Sequence, residues 1–427
     1  MLYSRFFHRK RQYCKGLFYS SFSGELKLNC INIKAVGDIN PGDKAIIGLG
    51  VLHQSKKFGP SYPLEKIKDY LKGSDIVIGN LEGLLTSLVE QNRRNNKTFC
   101  GRPAFAKALA DKGFNILNVA NNHTLEHGSE IFWETVNCLK ENGIKICGLK
   151  SSEKEYYSEP VILKKNNKTI GMIGYNWVGV DNFKEADRLI AQSRDSIVNY
   201  DWKRYKKSHE YLSSVVHQKN INVISDIKNL SRKVDFVILI AHWGYEFVHY
   251  PPYGLTLEAK SFIDAGADCI IGCHPHVIQG YEIYKSKPIF YSLGNFIFDQ
   301  NLEISRYSTI LDISIDEENT ISHRFNPIYI NSSFQPQRAN ENESKKILSI
   351  IEKSNSIINC TEHREKMEDN QVYEAYERQY KRIKIKNILM HFISLKDDPL
   401  VLILIFKKIL NFLNIMQNRI KGKKIRW

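Results

Sequence analysis

The sequence predicts an α/β protein, and two observations carry that prediction. Over roughly the first 300 residues, apolar runs of strand length alternate with segments whose apolar residues recur at helical spacing. In addition, six of the apolar runs close on a hydrophilic residue. In open α/β sheets, that carboxyl-terminal edge of the strands is where ligands bind.

The first strand is "LNCINIKAVGD", ending at Asp38. "LEKIKDYLKGSD" has the apolar spacing of a helix, and "DIVIGNLEG" is a strand ending in Asn80 and Glu82. "AFAKALADKG" is a helix with a glycine stop, followed by the strand "FNILNVANNH" and the long helix "GSEIFWETVNCLKENGI". "PVILKKNNKTIGMIGYN" is a hairpin that turns at Asn166 and Asn167. From about 177 to 233 the pattern loosens into a charged, tyrosine-bearing, partly helical insertion that includes "WKRYKKSHEYLSSVV". The alternation resumes with the strand "KVDFVILIAHWG", the helix "TLEAKSFIDAGAD" and a short buried strand from Cys269 to Ile271. "KPIFYSLGNFIF" and "YSTILDISID" are further strands, and Glu341 to Lys353 reads as helix. Three regions result: a basic N-terminal segment 1–30, an α/β domain 31–335 carrying the insertion, and a helical, basic C-terminal extension 336–427.

Composition narrows the function. The chain has 427 residues, 42% hydrophobic and 25% charged, which is globular and long enough for a large core. Its eight cysteines include no CxxC pair, which argues against a disulfide framework or a zinc ribbon and fits a reducing compartment. The formal charge is +15, and from Gln371 to Trp427 there are 13 Lys/Arg against 4 Asp/Glu, a net of +9. Such a balance points to anionic partners: a membrane surface or an acidic polymer. No nucleic-acid-binding motif accompanies it, so nucleic acid is not an expected partner. The basic N-terminus lacks the continuous apolar stretch of a signal peptide. The longest apolar run, Leu400 to Phe406, is far short of the roughly 20 residues that span a bilayer. The expected location is cytoplasmic or peripheral on a membrane. In the latter case the basic tail lies on an acidic face; otherwise it packs on the main domain.

The strand ends supply a specific set of donors. They are Asp38, Asn80 and Glu82, Asn121 to His123, His242 and Glu246, His274 and His276, and Asn295. In "CHPH", residues two apart on extended chain project to the same side, so both imidazoles are expected to face one point. Two carboxylates, an asparagine and three histidines suit one or two divalent ions of the Mn, Fe or Zn kind. Two such ions can share a hydroxide nucleophile and clamp the reacting oxygens of a phosphoester. Glu82 is the candidate bridge, and His123, beside Asn122, the candidate general acid. Asn80, Glu246 and Asn295 complete the set as candidate substrate-binding residues, although Glu246 reads more readily as the ion-pair partner of a nearby base. Each residue also has an ordinary structural reading, as a turn, a cap or a core histidine; it is their common position that argues for a site. Cys273 is expected to point away from His274, and His53, His127 and His249 to lie on the surface.

"AVGDI", "IGNLEG", "VANNHTLEHG", "AHWGYEF", "GCHPHVIQGYE" and "YSLGNFIFD" resemble, in order and spacing, the capsule-synthesis protein CapA family, over about Ile33 to Phe298. The resemblance implies a metallophosphoesterase-like four-layer α/β sandwich and a role in making poly-γ-glutamate or another capsule polymer. It implies metal-site roles for Asp38, Glu82, Asn122, His242, His274 and His276, and a catalytic role for His123. One departure stands out: metallophosphoesterases usually open with Asp-x-His, and here Asn40 follows Asp38 by two. Two functions follow. One is a metal-dependent hydrolase or transferase of surface-polymer synthesis. The other is a non-catalytic factor that binds the anionic polymer, its precursor or the synthase at the membrane surface.

Overall fold

The structure is a computed structural model. It describes residues 30–43, 50–67, 69–91, 98–152, 155–178, 188–191, 221–300 and 302–360, with 378 and 382. Two mixed sheets form its centre. In the first, β1 (Ile31–Ile39), β2 (Ile76–Leu81), β5 (Ile116–Asn118) and β6 (Lys145–Cys147) run parallel in that order. On the other side of β1, β14 (Tyr307–Ile315), β15 (Ile321–Ile330) and β16 (Pro336–Arg338) add antiparallel strands, and β13 (Asn295–Ile297) pairs with β1 beyond β14. The second sheet has the order β11 (Tyr281–Tyr284), β12 (Lys287–Phe290), β10 (Cys269–Cys273), β9 (Phe236–His242), β8 (Lys168–Asn176), β7 (Val161–Lys165). Its four central strands are parallel. A two-stranded ribbon, β3 (Leu84–Leu85) with β4 (Cys100–Gly101), follows β2.

The alternation of apolar residues along these strands sets the layers. Ile31, Ile33, Ile76, Ile78, Ile116, Leu311 and Ile313 of the first sheet pack against Ile170, Met172, Phe236, Ile238, Ile240 and Ile271 of the second. Each such side chain, fully buried, contributes about 1.5–3 kcal/mol. The opposite face of the first sheet carries α1 (Val51–Phe58), α3 (Ala104–Asp111) and α4 (Ser129–Glu141), with Phe105, Leu109, Phe132 and Val136 against Val77, Leu117 and Ile146. A one-turn helix, α2 (Leu88–Gln91), lies between α1 and α3 in the chain. The opposite face of the second sheet carries α5 (Ile221–Ser231) and α6 (Tyr253–Ala265), with Ile227, Leu230, Ala259 and Phe262 against Tyr175, Val237, Leu239 and Ile270. Helix, sheet, sheet, helix is the four-layer α/β sandwich. A further helix, α7 (Glu341–Ile358), opens with a capping box between Asn340 and Glu343 and packs across β15 and β11.

The expected hairpin is β7–β8, and Asn166 and Asn167 turn with φ of 47° and 60°, the double left-handed geometry of a type I′ turn. Helix α5, within the span read as an insertion, is the crossover between the parallel strands β8 and β9. The stretch "WKRYKKSHEYLSSVV" and the basic tail beyond 360, 378 and 382 apart, lie outside the described residues.

The segment 64–75 differs from expectation. A 3₁₀ turn covers Tyr62–Leu64 and turns follow, so no α-helix forms among the described residues of that segment. Backbone bonds such as Ile67 N→Leu64 O and Tyr70 N→Ile67 O run three residues back. Leu64, Ile67 and Leu71 are buried all the same, and their spacing of three and then four is that of a helical face, which is why the sequence reads as helix.

Candidate metal centre

The site grows out of the alternation that builds the inter-sheet core. In β2, Ile76 and Ile78 face the second sheet, and Asn80 is next on that face. In β9, Phe236, Ile238 and Ile240 lead to His242; in β10, Cys269 and Ile271 lead to Cys273. Register then aligns these last positions. Asn295, Asp38, Asn80 and Asn118 stand side by side across the first sheet, and Asn176, His242 and Cys273 across the second. The two polar rows meet where the apolar core ends.

Asp38 reaches its row through a bulge. Between Ala35 and Asp38 strand β1 carries one residue more than β2. Without it, Asp38 faces the helices; with it, the carboxylate faces the second sheet. Gly37 lies at this bulge, where a Cβ would stand 1.7 Å from Gly294 O.

Ten of the eleven strand-end residues named from the sequence come together here, and the eleventh, Asn121, supports them by donating to Leu81 O and accepting from His123 N. Asn80 Nδ2 donates to Asp38 Oδ1 at 2.8 Å and lies 3.2 Å from His242 Nδ1. Asn118 Nδ2 donates to Asn80 Oδ1, which fixes the amide's orientation. Asp38 Oδ2 accepts from His274 N at 3.1 Å and lies 3.4 Å from His276 Nδ1. His276 Nδ1 is 2.9 Å from Asn295 Oδ1, and its Nε2 is 3.5 Å from Glu82 and 3.8 Å from Glu246. His242 Nε2 is 2.8 Å from Asn122 Oδ1. His123 Nδ1 is 2.8 Å from Glu126 Oε2, and its Nε2 is 3.7 Å from Glu82 Oε1. Asp38, Glu82, His242 and His276 are fully buried.

His274 and His276 meet by a different route from the one expected. Their φ angles are 97° and 57°, on either side of Pro275, so the loop is not extended. Two left-handed turns bring the rings to 5.8 Å between centroids. Such conformations are costly for residues with a Cβ and cluster at functional sites. Bonds from the neighbouring loop hold them: Trp243 N donates to Cys273 O and Phe247 N to Pro275 O, and His249 Nδ1 meets Ile278 O.

The donors fit a divalent cation. Asp38, Glu82 and His276 offer ligand atoms within 4.8 Å of one another; so do Glu82, His242 and His274, and Glu246, His274 and His276. Glu82 belongs to two of these groups. A mixed nitrogen and oxygen set suits Mn, Fe or Zn.

Several expectations need correction. Cys273 faces the site: its Sγ lies within the same span of Asp38 and His242, and it donates to Ala241 O at 3.5 Å. Burial, with the carboxylates of Asp38 and Glu82, pushes its thiol pKa far up. His53, His127 and His249 are half-buried rather than on the surface, and His127 Nε2 binds Thr98 O at 2.7 Å. Asn40, in place of the usual histidine, is buried and turns its Oδ1 to its own loop, accepting from Gly42 N. Asn118 and Phe99, both against site residues, carry no signal in the sequence beyond a strand end and an apolar loop residue.

Fold and site define an α/β sandwich protein with a carboxylate–imidazole centre at its strand ends. The chain matches the sequence profile of the bacterial capsule synthesis protein family, PGA_cap, over residues 32–300. It belongs to that family. It is 28% identical over 298 residues to the capsule biosynthesis protein CapA of Bacillus anthracis, covering 68% of this chain and 65% of that one. It is 27% identical to the PGA biosynthesis protein CapA of Bacillus subtilis, covering 70% of this chain and 71% of that one. At 24% identity it matches a Mycobacterium tuberculosis protein named "Probable polyglutamine synthesis accessory protein", covering 66% and 72%. The chain thus spans just under two thirds of the length of the B. anthracis relative. Among solved structures, the NAD nucleotidase of Haemophilus influenzae aligns at 14% identity and a TM-score of 0.34, over 83% of this chain and 68% of that one. The 5′-nucleotidase of Candida albicans aligns at 12% and 0.34, over 77% and 57%.

Proposed function

We propose that the chain is a metal-dependent hydrolase or transferase of capsule or poly-γ-glutamate synthesis, acting on a phosphoryl or amide bond of the polymer or its precursor. The observation that carries this reading is the convergence of three overlapping donor groups beside His123. Asp38, Glu82 and His276 would hold one cation, and Glu82, His242 and His274, with Asn122, a second. Bound ions would supply Lewis acidity and a water of lowered pKa. The chain's own residues do the rest. Glu126 accepts the Nδ1 proton of His123, which leaves Nε2 as the atom that gives or takes a proton on the reacting side. Asn80 braces Asp38 and His242 together, and Asn295 fixes the His276 ring.

The test is metal content followed by turnover. Protein purified without chelator is assayed for Mn, Fe and Zn, alongside His274→Ala, and then offered phosphomonoesters, phosphodiesters and γ-glutamyl peptides. Near-stoichiometric metal that the substitution removes, with turnover of one class that His123→Ala abolishes, supports the proposal. Metal-free protein without turnover overturns it.

Asn40 favours a second reading. A site lacking the usual Asp-x-His histidine suits a non-catalytic factor that binds the anionic polymer or its synthase, in keeping with the accessory role named for the M. tuberculosis relative. Metal bound without turnover of any of the three classes would select this reading.

A further inference from the structure

Phe99 is a buried aromatic residue in the left-handed region, with φ of 59°. A bulky side chain there is a genuine outlier. Three bonds hold the backbone around it. Phe99 N donates to Asp43 O at 3.1 Å, Phe99 O accepts from Leu84 N at 2.7 Å, and His127 Nε2 binds the preceding carbonyl, Thr98 O, at 2.7 Å. This is the condition under which local strain persists: the surroundings over-determine it. Its consequence is a ring laid flat on the His123 imidazole, with centroids 3.6 Å apart and planes at 17°.

A looser pairing of the same kind lies across the site. Phe247, with φ of 64°, stacks on His276 at 5.9 Å and 30°. Phe298 stands edge-on to both Phe99 and His276. Two left-handed aromatics therefore each neighbour an imidazole of the centre, and of the two Phe99 is the one that lies flat on it.

We infer that Phe99 is a positioning residue for His123, and that His127 acts through it by holding the strained turn. The stack fixes the plane of the imidazole and the Glu126 contact fixes its rotation within that plane. With Asn122 Nδ2, 3.2 Å from Nε2, they keep that atom on the Glu82 side. This inference rests on the proposed role of His123, so its test has a readout independent of turnover.

That readout is the nuclear magnetic resonance of histidine-labelled full-length protein. A stacked ring shifts the His123 ring protons upfield, and Phe99→Leu removes the displacement while Phe99→Tyr restores it. Turnover of the phosphomonoester p-nitrophenyl phosphate, if the enzyme reading holds, then falls on the order of 10-fold in kcat in Phe99→Leu. KM and bound metal stay unchanged, and Phe99→Tyr recovers the rate. His127→Ala, which leaves the Phe99 side chain in place, weakens both readouts in the same direction. Undisplaced His123 resonances in the unsubstituted protein would overturn the inference. So would a kcat that survives loss of the displacement. If no substrate turns over, the proposed function fails and the resonances alone decide the positioning claim.

Discussion

Asp38 and Asn80 stand opposite each other across β1 and β2, joined by a 2.8 Å bond from Asn80 Nδ2 to Asp38 Oδ1, although Asp38 is out of step with its own strand. The bulge after Ala35 resolves the conflict, and the amide then links the first sheet's carboxylate to His242 of the second sheet at 3.2 Å. The centre therefore depends on a backbone irregularity as much as on its donors.

Gly37→Ala tests that dependence. The new Cβ would meet Gly294 O at 1.7 Å, a contact with backbone that no rotamer relieves. Pushing β1 from the turn before β13 should cost about 1–3 kcal/mol, as overpacking does. Bound metal should fall with it, because Asp38 and Asn295 both move. Thermal melting and elemental analysis read the two effects. A Gly37→Ala protein with unaltered melting and metal would show that the bulge does not place Asp38.

Asn80→Ala removes a side chain that coordinates nothing in the proposed scheme but braces two residues that do. Partners of metal ligands typically contribute about 10–100-fold in affinity. The substitution also leaves Asn118 Nδ2 without its Asn80 acceptor. Zinc or manganese titration by calorimetry should show that loss, with Asn80→Asp recovering less than half of it, since a second carboxylate beside Asp38 repels it. Unchanged affinity in Asn80→Ala would place the residue outside the centre's support.

Much of this was legible in the sequence. The strand–helix alternation, the hairpin at Asn166 and Asn167, and the polar residues at the strand ends follow from periods of two and 3.6 and from where apolar runs stop. What was not legible has a common cause: local pattern does not encode backbone irregularity. The turns at 64–75 mimic helical spacing, the left-handed His274 and His276 replace an extended pair, and the Asp38 bulge reverses the face that alternation assigns. Strands β11, β15 and β16 carry no clear signal, because they lie at the sheet margins and their partly exposed residues break the apolar run.

His249 makes the centre's support sensitive to acid. Burial lowers its pKa below the ordinary value, and its Nδ1 meets Ile278 O in the loop that carries His274 and His276. The folded protein therefore favours the neutral ring. Its contribution is intact above the ordinary histidine pKa of about 6.5 and drains away as pH falls through that value toward the lowered one. His249→Asn keeps a donor and removes the titration. Melting temperatures of the two proteins should diverge between pH 7.5 and about 5, with the unsubstituted protein losing more. Parallel curves would assign the acid sensitivity elsewhere; burial also lowers the pKa of His323.

The last turn of α7 binds the far end of that loop, beyond the 32–300 span of the family match. Ser354 Oγ accepts from Gly280 N and Asn355 Oδ1 from Tyr281 N, both at 2.7 Å, and a Cβ at Gly280 would meet Asn355 Oδ1 at 2.3 Å. Ser354→Ala with Asn355→Ala leaves two backbone donors without these acceptors, at about 1–3 kcal/mol for each that stays buried. Urea denaturation should record a loss of that order, and metal affinity should weaken because His276 lies four residues before Gly280. If the double substitution changes neither stability nor affinity, α7 is an appendage and the site is complete without it.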